Sequence, residues 1–369
     1  MIKVRQGTAY RMGIAAMFEC GRGTLRPLLL MIALLAAVAC SPRQESLGVE
    51  EAYAAREGVG LRDELKPNAP VVATLALGER VEVVERRRRF VRVQTAAGVA
   101  GWTRDTRLAT RELRQMMDQL AQQTRSEESQ GVFRALRTLN VHLEPYRWSP
   151  TINQMEEDEG AELLRHQLVD RFPRPREEGK PPPTPTGLDD WYLVRAPNGR
   201  TGWVLTTGLY SAVSDEVKQY AERKRITSYF ALGEVEDKGH STPRTTWLWT
   251  QTDRPKQSHD FDLIRVFMWN RRRQAYGTIK LERGLTGYLP VRMHKRLETA
   301  QGAGPGFTIT VEKDGARVER TYVLLASRVH QVEEKPAGPP PPPIRLVKPG
   351  ESTEAEAGLL ESLAGWWSR

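Results

Sequence analysis

Cysteine is nearly absent: the 369 residues hold two, Cys20 and Cys40. Beyond residue 40 the chain therefore has no thiol for a disulfide, a thiolate nucleophile or a sulfur-ligated metal. Long apolar runs are missing too, the stretch Leu28 to Ala39 being short of the roughly 20 residues that a membrane-spanning helix needs. The six histidines, His142, His166, His240, His259, His294 and His330, are scattered without metal-ligand spacing. No G-x-S-x-G elbow and no phosphate-cradling glycine loop occurs. Asp189 and Asp190 read as a solvated turn rather than an acid and base pair, and Ser258 to Asp262, "SHDFD", as a loop. A non-enzymatic protein without cofactor or metal is expected. What is present is ordinary globular composition, 39% hydrophobic and 27% charged, long enough for two or three domains.

The first 39 residues read as a signal peptide. They carry five basic residues against Glu19, then the apolar run, then small residues before Cys40, and without them the formal charge falls from +9 to +5. The long lead-in leaves Met1, Met12 and Met17 as alternative starts. "AVAC", ending at Cys40, resembles a bacterial lipobox, although Ala37 stands where Leu is commonest. The resemblance implies a lipid anchor on Cys40, and Ser41 after it resembles the signal for sorting to the outer membrane, facing the periplasm. The inner membrane is the lesser expectation.

A pattern then occurs twice. "AAGVAGWTRDTRLA", Ala96 to Ala109, returns as "APNGRTGWVLTTGLY", Ala196 to Tyr210, with Gly98 and Gly199, Gly101 and Gly202, Trp102 and Trp203, and Leu108 and Leu209 each 101 positions apart. Phe90 and Trp191 keep that offset, whereas Val59 and Leu139, and Leu61 and Val141, stand 80 apart. The second copy thus holds 21 extra residues, most of them in the proline-rich stretch 172–188, which replaces a hairpin tip at Arg86 to Arg89 in the first. Alternating Val81 and Val83, and Val91 and Val93, have the period of half-buried strands.

"LNVHLEP", Leu139 to Pro145, followed by "WYLVRAPNGRTGWVLTTGL", resembles a bacterial SH3 (SH3b) domain. The first copy shares the order of elements but has Gly60 and Leu65 in place of Asn140 and Pro145. The resemblance implies small barrels at 50–109 and 131–211 that bind cell-wall peptide or glycan. Gly101 with Trp102 and Gly202 with Trp203 read as structural, the glycine allowing close approach and the indole closing a small core. Trp191 and Tyr192 are adjacent on a strand and so face opposite sides, which leaves one of them, Tyr192 above all, as a candidate ligand contact. Arg86, Arg87, Arg88 and Arg89 are further candidates for acidic ligands. Basic runs at 223–225 and 271–273 add to this charge, and export argues against nucleic acid.

Helical linkers are expected at 110–130, where Leu113, Met116, Met117 and Leu120 share a face, and at 212–225. An antiparallel β domain is expected at 226–333, with hairpins around Asn270 to Arg273 and Asp314-Gly315. The tail 334–369 contains "AGPPPPPIRLVKPG", an extended spacer or a ligand for some groove, and ends in a short amphipathic helix with Trp366 and Trp367. The chain thus reads as mainly β, two SH3-like barrels joined by helical linkers to a C-terminal β domain. The expected role is a lipid-anchored envelope protein binding peptidoglycan or an envelope partner, with a periplasmic protein–protein scaffold as the alternative.

Overall fold

The computed structural model describes residues 50–66, 68–173, 184–237 and 242–348. The leader, Cys40, most of the proline-rich insertion and the terminal helix lie outside the described residues. Within these limits the chain is mainly β and forms three antiparallel sheets of seven strands each.

The first sheet comprises β1 (Glu50–Ala54), β2 (Val59–Arg62), β3 (Val71–Leu75), β4 (Arg80–Arg87), β5 (Phe90–Thr95), β6 (Ala100–Arg104) and β7 (Leu108–Ala109). The second comprises β8 (Val132–Ala135), β9 (Leu139–His142), β10 (Thr151–Met155), β11 (Gly160–Asp170), β12 (Leu188–Arg195), β13 (Thr201–Leu205) and β14 (Leu209–Ser211). Their strand orders are β3-β2-β6-β5-β4-β1-β7 and β10-β9-β13-β12-β11-β8-β14, the same permutation twice. The β4–β5 hairpin turns directly after Arg87, whereas its counterpart opens after Asp170 and resumes at Leu188, so the insertion leaves the pairing on either side intact.

The repeated Gly-Trp sits where β6 crosses β2 and where β13 crosses β9. A Cβ on Gly101 would meet Leu61 Cβ at 2.8 Å, and one on Gly202 would run into Val141 and lie 3.0 Å from the carbonyl oxygen of His142. Gly202→Ala is accordingly expected to destabilise the protein by about 1–3 kcal/mol in urea denaturation followed by tryptophan fluorescence. An unchanged midpoint would contradict this close approach.

Helix α1 (Arg111–Gln123) joins the two sheets and is capped by Thr110, whose hydroxyl accepts from Leu113 N at 3.2 Å. Its expected apolar face is used as packing: Met117 and Leu120 enter a core with Phe133, Leu163 and Leu193 that also takes Ala55, just after β1, and Ala109 of β7. The second linker is much shorter than expected. Helix α2 (Asp215–Lys218) passes into a single 3-10 turn at 219–221. Glu222 and Arg223 then adopt positive φ, which ends helical geometry and turns the chain into the next strand.

The third sheet is a meander of β15 (Arg225–Val235), β16 (Arg244–Thr252), β17 (Phe261–Asn270), β18 (Ala275–Thr299), β19 (Gly302–Lys313), β20 (Ala316–Leu325) and β21 (Arg328–Pro336), paired in chain order. Asp314 and Gly315 both take positive φ at the β19–β20 turn, the geometry of a two-residue hairpin. The sheet is apolar on both faces. Phe261, Phe307 and Tyr322 lie in one core, while Trp249, Phe267 and Trp269 lie in another that α2 covers with Val217.

Candidate functional site

Strand β12 reads Leu-Asp-Asp-Trp-Tyr-Leu-Val-Arg, and its six central residues are all buried. Trp191 is 0% and Tyr192 3% exposed, so neither is available to a ligand in this state. The expectation that one of them would be exposed assumed a free outer face, but the third sheet covers it. Asp189 and Asp190 likewise stand on this buried strand and not in a solvated turn. Their alternation sends them to different partners. Asp189 accepts from Arg147 Nε at 2.5 Å and from Arg171 Nε at 2.7 Å, and thereby fastens the base of the insertion.

Asp190 faces the third sheet together with His166, which stands opposite Tyr192 on β11 and meets its ring edge-on at 5.6 Å. His166 Nε2 donates to Asp190 and Nδ1 to Asp260, which lies just before β17. Arg225, the first residue of β15, donates to Asp190 Oδ2 at 2.8 Å and to Thr206 Oγ1 at 3.0 Å. The second oxygen of Asp260 accepts from Leu289 N at 2.6 Å. Burial by itself pushes the His166 imidazolium down, but the hydrogen bonds and charges of Asp190 and Asp260 outweigh it and raise the pKa to about 9. Burial opposes the charge on Asp190 as well, and His166 and Arg225 nevertheless hold it below the usual carboxylate range. The imidazolium spends both N–H groups on carboxylates, so in this state it has no lone pair for a metal or a substrate proton. The cluster is a charge-balanced bolt between the second and third sheets. Gln130, fully buried, adds a neutral one: its amide accepts from Val291 N at 2.8 Å and donates to Val291 O at 3.3 Å.

Beside the bolt opens a cavity of about 520 Å³. Leu143, Leu164 and Trp203 contribute from the side of the second sheet and Leu289 and Pro290 from the third, and His166 and Asp260 line it too. Its last side is the chain's own tail, Pro341 to Leu346. The tail is held by the two glutamines of α1. Gln119 donates to Val347 O at 3.1 Å and accepts from Val347 N at 3.0 Å; Gln123 donates to Arg345 O at 2.7 Å and accepts from Arg345 N at 3.1 Å. Four residues of helix advance about 6 Å and two residues of extended chain about 6.6 Å, so the spacing of the two amides matches every second peptide unit of the tail. Ile344 and Leu346, alternating with the bonded residues, pack against the core that holds Phe133, Leu163 and Leu193. Arg165, bound to Glu127, donates to Pro342 O at 2.7 Å and grips the proline run.

The structure thus gathers residues that composition and spacing had not singled out: Gln119 and Gln123 as the polar remainder of a linker helix, His166 as one scattered histidine, Asp260 in a loop. The legible signal was a pair of glutamines four apart beside an apolar stripe, in a chain that also carries a proline run. The arginine tip lies apart from this groove. Arg86 pairs with Glu50, and Arg87 pairs with Glu85 at 2.6 Å while its guanidinium lies 5.4 Å from the centre of the Trp102 ring. Trp102 and Trp203 hence have different covers, an arginine in one copy of the repeat and a groove bearing the tail in the other.

No protein-family model matches the chain, and no curated protein matches it. Among solved structures, NlpC2 from Trichomonas vaginalis is 11% identical and aligns with a TM-score of 0.15 over 77% of this chain and 96% of its own. NlpC1 from Trichomonas vaginalis is 11% identical with a TM-score of 0.17, over 74% of this chain and 91% of its own. At such TM-scores the likeness carries no argument about fold or activity.

Proposed function

We propose that the protein is a non-catalytic binding protein of the cell envelope, anchored by a lipid on Cys40, whose groove between the second and third sheets takes an extended, proline-rich segment of a partner protein. Of the two ligand classes expected from the sequence, wall glycan and protein, the groove favours protein. The observation that carries this reading is the ladder formed by Gln119 and Gln123 with the backbone at 345 and 347, which recognises extended peptide whatever its side chains. Ile344 and Leu346 supply the apolar anchors and the prolines reduce the entropy lost on docking. The tail is then an occupant in cis, and a partner must compete with a tethered segment whose effective concentration is on the order of millimolar.

The test uses the full chain and a synthetic peptide of residues 337–348. Ile344→Asp with Leu346→Asp removes both anchors and should free the groove, so the double variant is expected to bind the peptide saturably below about 1 mM, while the wild type binds it at least tenfold more weakly. A folded double variant that ignores the peptide would overturn the proposal. Should the wild type instead co-sediment with purified peptidoglycan in that case, wall binding would replace it.

A further inference from the structure

A second cavity, of about 370 Å³, lies between the first and second sheets, and its charge is one-sided. Arg56 after β1, Arg89 at the β4–β5 tip, Arg104 at the end of β6 and Arg107 in the following turn all line it. Across from them stand uncharged groups, Asn140 of β9 and Asn153 and Gln154 of β10, with Gln154 donating to Asn140 Oδ1 at 2.9 Å. Counter-charge is sparse. Glu156 reaches Arg56 only at 4.0 Å, and Asp105 turns one oxygen to the backbone N–H of Thr106 at 2.7 Å. Among the described residues Arg89, Arg104 and Arg107 have no carboxylate within ion-pair distance, in contrast to Arg80 and Arg86 of the same sheet, which each have one. Burial, followed by repulsion from Arg56, Arg104 and Arg62, lowers the pKa of Arg107 against a smaller opposing pull from Glu156.

The repeat shows that the fold does not require these arginines. At the offset of 101, Arg104 and Arg107 fall on Leu205 and Gly208. The two turns, 105–107 and 206–208, are both single 3-10 turns. Each closes on the same bond, Ala55 N donating to Arg107 O and Leu136 N to Gly208 O, both at 2.8 Å. The same backbone is thus built once with two converging cations and once with none.

We infer that the cleft lined by Arg56, Arg89, Arg104 and Arg107 binds a phosphate-bearing ligand, with the amides of Asn140 and Asn153 placed for its hydroxyl groups. A carboxylate brings one charge. A phosphate monoester brings about −1.5 to −2 and three acceptor oxygens, which suits several guanidinium forks meeting in one cavity. The ligand is either a soluble phosphate compound or the phosphate of a lipid headgroup. This inference stands independently of the peptide groove.

Pyrophosphate is the soluble probe, titrated into the full chain at low salt by calorimetry. Vesicles of phosphatidylcholine with and without phosphatidic acid are the membrane probe, read as the difference in co-sedimentation so that any lipid anchor cancels. Saturable pyrophosphate binding is expected, weakened about 100-fold in Arg104→Gln with Arg107→Gln, since two charge-assisted contacts are lost. Relief of like-charge crowding should leave the melting temperature of that variant equal to or above the wild type, which separates lost binding from unfolding. Arg86→Gln, outside the cleft, should bind as the wild type does. A preference for phosphatidic acid that the double variant loses, with weak pyrophosphate binding, would assign the phosphate to a headgroup. Failure of the wild type with both probes would overturn the inference, as would full binding by the double variant.

Discussion

At pH 6 the His166→Gln protein is expected to be about 3 kcal/mol less stable than the wild type, and above pH 9.5 the two should converge. The folded pKa of His166 is about 9 against an ordinary value of 6.5, and each unit of difference corresponds to about 1.4 kcal/mol. Because the folded state holds the proton more tightly, the stabilisation is complete below pH 6.5 and is lost as pH rises toward 9. Stability of the wild type should therefore fall across that window, by as much as about 1.4 kcal/mol per pH unit, and the slope should flatten in the variant. Urea denaturation at a series of pH values, followed by tryptophan fluorescence, reads both quantities. Glutamine can still donate to one carboxylate but brings no charge, so Asp260 would keep only the Leu289 N–H while Asp190 retains Arg225. Equal slopes in the two proteins would show that the His166 cluster does not carry the linkage.

The second large effect concerns peptide recognition. With the groove freed by Ile344→Asp and Leu346→Asp, adding Gln119→Ala and Gln123→Ala is expected to weaken binding of the 337–348 peptide about 100-fold. Four hydrogen bonds are lost, each with a net value of about 0.5–1.5 kcal/mol. Gln123 is exposed and Gln119 half-buried, and neither belongs to an apolar core, so the melting temperature should hardly move. Loss of less than threefold, measured by fluorescence anisotropy of labelled peptide, would mean that the apolar anchors alone hold the segment and that the amide ladder is incidental.

Much of the strand architecture was legible. Period-two alternation along Val81 to Val93 and the hairpins around Asn270 to Arg273 and Asp314-Gly315 each mark strands that the structure contains, because a half-buried strand must alternate and a tight hairpin needs positive φ. The helix from Thr110 was legible through its apolar face, although it ends at Gln123 and not near residue 130, whereas the one after Ser214 was overestimated because the positive φ at Glu222 and Arg223 leaves no local mark in those side chains. The candidate site was almost illegible. Asp189 and Asp190 look solvated in any window of sequence, and their burial follows from arginines and a histidine brought in from 18 to 42 positions away.

The sequence by itself pointed to the duplication, through the offset of 101 shared by Gly98, Gly101, Trp102 and Leu108, and the structure repeats the same strand order. The sequence also determined the absence of thiol chemistry after residue 40. Only the tertiary structure decided what the two copies do differently. One Gly-Trp strand ends in converging arginines and the other borders a groove that holds the tail, and Gln119 meets Val347 across 228 positions. Local patterns are set by residues within a few positions of each other, whereas a ligand site is set by which distant surfaces the packing of whole sheets brings face to face.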